Sequence, residues 1–148
     1  MFGSFFIAQT VQAISEALGA TDGRVVVIDW PRAGKALADS GLEVVQVSGK
    51  PRSLRRHTGA RLYADGTRLP LADGCAAAVV AGAVSTRADR EDVLGEYQRV
   101  VRDGGSIVLI DRQPATELTR FALCGGLAEI EQRHAGRTVV TSGQVIKL

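Results

Sequence analysis

Cysteine and histidine are scarce, with two of each in 148 residues. Cys75 and Cys124 lie far apart in apolar surroundings and lack metal-ligand spacing. A disulfide framework and a zinc motif are therefore both excluded, and two buried, reduced thiols are expected. His57 falls in a basic segment and His134 near a turn, so both are expected to face solvent rather than serve as a base. No Ser-His-Asp order and no phosphate loop is present. Long apolar runs are missing too: none approaches the ~20 residues needed to cross a bilayer. The apolar start "MFGSFFIAQTVQAISEALG" has no basic lead and no cleavage site, and is read as no signal peptide. The expected setting is cytoplasmic, without a membrane partner. Charge of one sign is not in excess, with 18 Lys and Arg against 16 Asp and Glu. That balance does not by itself point to nucleic acid.

What is present is a regular alternation. Hydrophobic residues make up 45% of the chain, enough for one packed domain over residues 1–148. Phe2, Phe6, Ile7, Val11, Ile14 and Leu18 recur at helical spacing, giving a leading amphipathic helix over residues 1–20. "RVVVID" is a short β-branched run that reads as a buried strand, and "AGKALADSG" as a helix closed by Gly41. "LEVVQVS", "ARLYAD" and "CAAAVVAGAV" read as further strands. "TRADREDVLGEYQRVVRDGG" gives a helix with Val93, Leu94, Tyr97, Val100 and Val101 as its apolar stripe, ended by Gly104-Gly105. "SIVLIDR" is the fifth strand, and "PATELTRFALCGG" a helix with Pro114 in its first turn. "LAEIEQRHAG" and "RTVVTSGQVIKL" read as an antiparallel pair turning at Ala135-Gly136. Such an order makes an α/β domain: a mostly parallel seven-stranded sheet, helices on both faces, and an antiparallel strand at the C-terminal end. Ligands in such sheets bind beyond the carboxyl ends of the strands.

The stretch "YADGTRLPLADGCAAAVVAGAVSTRADREDVLGEYQRVVRDGGSIVLID" narrows the reading. Asp65, Leu69-Pro70, the run Cys75 to Val84, and "EYQRVVRDGG" from Glu96 to Gly105 follow one another in a characteristic order. In this order the chain resembles the small-molecule class of S-adenosylmethionine-dependent methyltransferases, a class I, Rossmann-like fold, from Arg24 to Leu148. The resemblance implies a cofactor site built from Asp29 at the end of the first strand, Gly34 in the following loop, Ser48 at the end of the second, Asp65 and Gly66 after the third, and Gly82 after the fourth.

Departures from the family pattern cluster in that site. After Asp29 the family needs glycines, because the backbone must approach the cofactor closely. This sequence offers Trp30-Pro31-Arg32-Ala33 and a single glycine, Gly34, in a segment about one helical turn short. Proline removes a donor and fixes φ. Trp30 and Pro31 are therefore expected to fill or close the cleft. The second strand should end in a carboxylate that accepts from both ribose hydroxyls, since a carboxylate offers only acceptors. Ser48 and Gly49 stand there, followed by cations. Asp65 is open to a second reading as the cap of its own "DGT" turn. No catalytic residue and no metal ligand is singled out.

Lys50, Arg52, Arg55, Arg56 and Arg61 form a basic segment that reads as a solvated face, or as a site for an anion or nucleic acid. Phe2, Phe5 and Phe6 crowd the first helix, and beyond core packing they offer a surface for a protein partner or self-association. The expectation is a methyltransferase-fold protein that has given up S-adenosylmethionine and acts as a non-catalytic binding, regulatory or assembly protein. The alternatives are an active small methyltransferase with an atypical loop, using S-adenosylmethionine, and an anion- or nucleic-acid-binding protein using Lys50 to Arg61.

Overall fold

The computed structural model describes residues 2–50, 52, 59–112 and 117–148, with the side chains of residues 2–6 outside that description. Seven strands form one sheet in the order β3-β2-β1-β4-β5-β7-β6. In chain order the elements are α1 (Phe2–Leu18), β1 (Arg24–Ile28), α2 (Pro31–Asp39), β2 (Glu43–Ser48), β3 (Ala60–Tyr63), β4 (Ala76–Gly82), α3 (Arg90–Val100), β5 (Val101–Arg112), α4 (Leu118–Cys124), β6 (Ala128–Ala135) and β7 (Thr138–Gln144). The strands from β3 to β5 pair in parallel, and β7 runs antiparallel to both β5 and β6. This is the seven-stranded, mostly parallel sheet that the alternation implies.

The sheet separates two apolar layers, as expected when helices cover both faces. Val25 and Val27 of β1 meet Ala13, Ile14 and Leu18 of α1 and Leu37 of α2 on one face. Val26 and Ile28 meet the layer of Val93, Leu94, Tyr97 and Val100 from α3, with Leu118 and Ala122 of α4. The β-branched run of β1 is thus buried on both sides. In β4 the small residues Ala76 to Ala78 are buried as well.

Two expectations about the fold need correction. Gly104 and Gly105 do not end α3; the helix stops at Val100, and Val101 begins β5. The glycines belong to an irregularity where β4 pairing jumps from Ala76–Val101 to Ala78–Ser106. Gly104 takes a φ of +80°, and a Cβ on Gly105 would lie 2.6 Å from the Ala77 carbonyl oxygen, so both positions need glycine to let the strand bulge. The thiols are not both buried: Cys75 is half-buried and Cys124 exposed, because α4 turns that side to solvent. His134 is exposed, as read, while His57 lies outside the described residues.

Candidate functional site

A cleft of about 780 Å³ opens beyond the carboxyl ends of β1 to β4. The fold makes it there because parallel strands all deliver their following loops to the same edge. Asp29, Ser48, Asp65, Gly66 and Gly82 line it. Five residues distant in sequence are therefore brought to one opening, as the resemblance implies.

Gly34 stands apart. It lies in α2, buried, where a Cβ would collide with the side chain of Gln46 on β2. Gln46 Nε2 donates to the Pro31 carbonyl at 3.2 Å, so this glycine lets α2 settle onto β2. Trp30 and Pro31 do not close the cleft. Neither lines it, and Trp30 packs against the α1–α2 layer beside Gly82. Only Asp29 and Trp30 connect β1 to α2. Pro31 opens the helix, and Trp30 gives it no side-chain cap. Asp29 itself adopts a left-handed backbone, φ +57°, a conformation Asp tolerates better than most residues. Its N–H still donates to the Val47 carbonyl at 2.9 Å.

At the β2 end, Ser48 Oγ accepts the Lys50 backbone N–H at 3.1 Å, and Lys50 lines the cleft beside it. At the β3 end Asp65 caps its own turn and also lines the cleft. Its Oδ1 accepts the Thr67 N–H at 3.0 Å, an Asx turn, while the exposed carboxylate faces the cleft. That backbone bond holds the Asp65 carboxyl below its usual range, helped by Arg87.

Arg87 is the residue that sequence reasoning missed. Its side chain is 26% exposed and lines the cleft between Asp29 and Asp65. Nη1 lies 3.8 Å from Asp29 Oδ2, and Nη2 lies 3.5 Å from Asp65 Oδ1. A fork of two shorter bonds, Nε to Asp89 Oδ1 at 2.7 Å and Nη2 to Asp89 Oδ2 at 2.9 Å, fixes the guanidinium. The Asp89 bonds push the Arg87 pKa further up, and the same bonds pull Asp89 down. Burial raises the Tyr97 hydroxyl, which lies beneath this group. Nothing local marks Arg87; its neighbours are set by the turn after β4.

Ser85 and Asp111 meet below that turn. Asp111 Oδ1 accepts from Ser85 Oγ at 2.5 Å and from its N–H at 3.3 Å, and burial raises the carboxyl. Of the basic segment, Lys50, Arg52 and Arg61 are described, while Arg55 and Arg56 lie outside the described residues. The side chains of Phe2, Phe5 and Phe6 likewise lie outside them. Among the described residues no cluster of His, Cys, Asp and Glu could hold a metal ion. No described helix is long and apolar enough to cross a membrane.

This strand order, with its opening at the ends of β1 to β4, defines a class I methyltransferase-type domain. The family model for a methyltransferase domain matches residues 32–109, and the chain belongs to that family. Among solved structures, the chain is similar to an S-adenosylmethionine-dependent methyltransferase of Thermotoga maritima, at 16% identity and a TM-score of 0.79, covering 95% of this chain and 89% of that one. It is similar to a chain of the complex between the Haloferax volcanii Trm112 methyltransferase activator and a methyltransferase, at 16% identity and a TM-score of 0.76, covering 99% and 96%. A third likeness is to Burkholderia thailandensis 1,6-didemethyltoxoflavin-N1-methyltransferase with bound S-adenosylhomocysteine, at 11% identity and a TM-score of 0.80, covering 95% and 79%. At these identities the likeness is one of fold. No curated protein sequence matches the chain.

Proposed function

We propose that this chain is a methyltransferase-fold protein that does not use S-adenosylmethionine and acts as a non-catalytic binding, regulatory or assembly protein. The observation that carries this reading is the two-residue connection Asp29–Trp30 between β1 and α2. A bare, glycine-rich backbone has no room there to wrap a cofactor. Two further features support it. The β2 end offers a serine already accepting from Lys50, where a ribose diol calls for a carboxylate. The carboxylates of Asp29 and Asp65, though exposed, have the guanidinium of Arg87 between them. The residues present therefore fit S-adenosylmethionine poorly. The complex of a Haloferax volcanii methyltransferase with the Trm112 activator lends support to a protein partner for this fold.

A second reading, an active methyltransferase with an atypical loop, is favoured by one observation. The cleft of about 780 Å³ is open, and Asp29, Asp65, Gly66 and Gly82 all line it. Titration calorimetry with S-adenosylmethionine and S-adenosylhomocysteine separates the two. The expected result is no measurable heat of binding for either. A dissociation constant in the micromolar range for S-adenosylmethionine would overturn the non-catalytic reading in favour of the second.

A further inference from the structure

We infer that Arg87 is a built-in latch: its guanidinium stands between Asp29 and Asp65 in the place a ligand's cationic group would take, and so bars such a ligand from the cleft. The inference rests on the non-catalytic reading above and names what enforces it.

Three local features aim this side chain into the opening. Ala83 adopts a left-handed backbone, φ +56°, although it is not glycine. Strain of this kind persists only where the surroundings impose it, and it tends to gather at functional sites. A 3-10 turn, Val84–Thr86, follows, held by Thr86 Oγ1 donating to the Ala83 carbonyl and by the Arg87 N–H donating to the Val84 carbonyl. Together they swing the chain back over the ends of β1 and β3. Asp89 then gives up a role it would ordinarily fill. It is the N-cap of α3, yet its carboxylate makes no capping bond because both oxygens hold Arg87. Gly66 completes the seat. Its Cα lies against the group: a Cβ there would come into ordinary van der Waals contact with Arg87 Nη1 at 3.4 Å and the Tyr97 hydroxyl at 3.5 Å.

The contacts differ in strength in a way that suits a latch. The Asp89 fork is short and charge-assisted, so it anchors. The approaches to Asp29 and Asp65, at 3.8 and 3.5 Å, are too long to be good hydrogen bonds, and both carboxylates are exposed. Such pairs are weak and screened by salt. A ligand carrying an ammonium or sulfonium group must displace Arg87 from both carboxylates or meet a like charge between them. Removing the guanidinium takes away the cation that Asp29 and Asp65 share and leaves two carboxylates facing a cleft in which Lys50 is the remaining cation among the described residues.

The test is calorimetry on three proteins, wild type, Arg87→Ala and Asp89→Asn, with S-adenosylmethionine as the cationic probe and S-adenosylhomocysteine as the probe lacking the sulfonium charge. Circular dichroism first checks that each is folded. Arg87→Ala is expected to bind S-adenosylmethionine at least tenfold tighter than wild type, or than the detection limit, with a smaller gain for S-adenosylhomocysteine. Asp89→Asn, which frees the anchor without touching the cleft lining, should move the same way by less, and it carries the test if Arg87→Ala fails to fold. Adding Asp29→Asn to Arg87→Ala should cancel the gain. Folded variants that bind no better than wild type overturn the latch while leaving the non-catalytic reading standing. Micromolar binding of S-adenosylmethionine by wild type overturns both, because Arg87 then bars nothing; a further gain on Arg87→Ala would make it only a brake on affinity.

Discussion

Arg99 Nε donates to Glu96 Oε1 at 2.6 Å, one turn back along α3, and the pair grips a loop far away in sequence. Glu96 Oε2 accepts the Leu69 N–H at 2.5 Å, while Arg99 donates to the carbonyls of Leu69 and Leu71. The carboxylate and guanidinium thus satisfy backbone groups of the loop between β3 and β4, and neither can be replaced without orphaning partners. Glu96→Gln and Arg99→Ala should each cost about 1–3 kcal/mol of stability. Asp73, whose side chain is 78% exposed, also meets Arg99, yet Asp73→Ala should cost less than about 1 kcal/mol. Urea denaturation measures all three. Equal losses for Asp73→Ala and Glu96→Gln would refute the clamp.

Glu96 and Asp111 give stability opposite dependences on pH. Hydrogen bonding to Arg99 holds Glu96 below its ordinary 4.5, so its contribution is full above that value and is lost as pH falls through the lowered one. Asp111 is raised above its ordinary 3.8, chiefly by burial. Its folded state favours the proton, so the stability it supplies is full below 3.8 and is lost as pH rises through the raised value. Asp111 Oδ2 is buried without a hydrogen-bond partner among the described residues, so ionisation places an uncompensated charge there. Asp111→Asn removes that charge and should raise stability at pH 7 by up to about 1 kcal/mol, with no gain near pH 3.5. Parallel stability curves for the two proteins between pH 3.5 and 7 would rule out a titrating Asp111.

The sheet was legible because β-branched runs, helical stripes and turn residues repeat at short range, and each signal lies within a few residues of the element it defines. The cleft was legible by order: Asp29, Ser48, Asp65, Gly66 and Gly82 each follow a strand, and parallel strands end on one side. Long-range contacts were not legible. The stretch "EYQR" stands out in the sequence, but only the folded chain brings Glu96 to Leu69. Arg87 looks like any loop arginine until the left-handed turn at Ala83 carries it over the cleft. Two glycine readings failed for a related reason. A glycine demanded by close packing, as at Gly34, and one demanded by a bulge, as at Gly104, look alike in sequence.

If Gly34 serves the packing of α2 on β2, its replacement should act on stability and not on the cleft. Gly34→Ala drives a methyl into the fully buried Gln46 side chain, an overpacking that should cost about 1–3 kcal/mol. The double variant Gly34→Ala with Gln46→Ala should recover part of that loss, because the obstacle is gone. Thermal melts of the two single variants and the double variant form the required cycle. Strict additivity, with no recovery, would mean that Gly34 is needed for some other reason.

Ala83 and Gly104 both take left-handed backbones, at φ +56° and +80°, and should answer opposite substitutions in opposite ways. A left-handed conformation costs an L-residue about 1–2 kcal/mol, whereas glycine adopts it freely. Ala83→Gly relieves that strain but adds unfolded-state entropy worth roughly 0.5–1 kcal/mol, and Ala83 is exposed, so little packing is lost. The net expectation is a gain of about 0.5–1 kcal/mol. Gly104→Ala meets nothing within 4 Å, so its loss of about 1 kcal/mol would come from backbone strain alone. Chemical denaturation of both variants reads the two signs directly. Destabilisation by Ala83→Gly, as at an ordinary right-handed position, would show that the turn after β4 is unstrained.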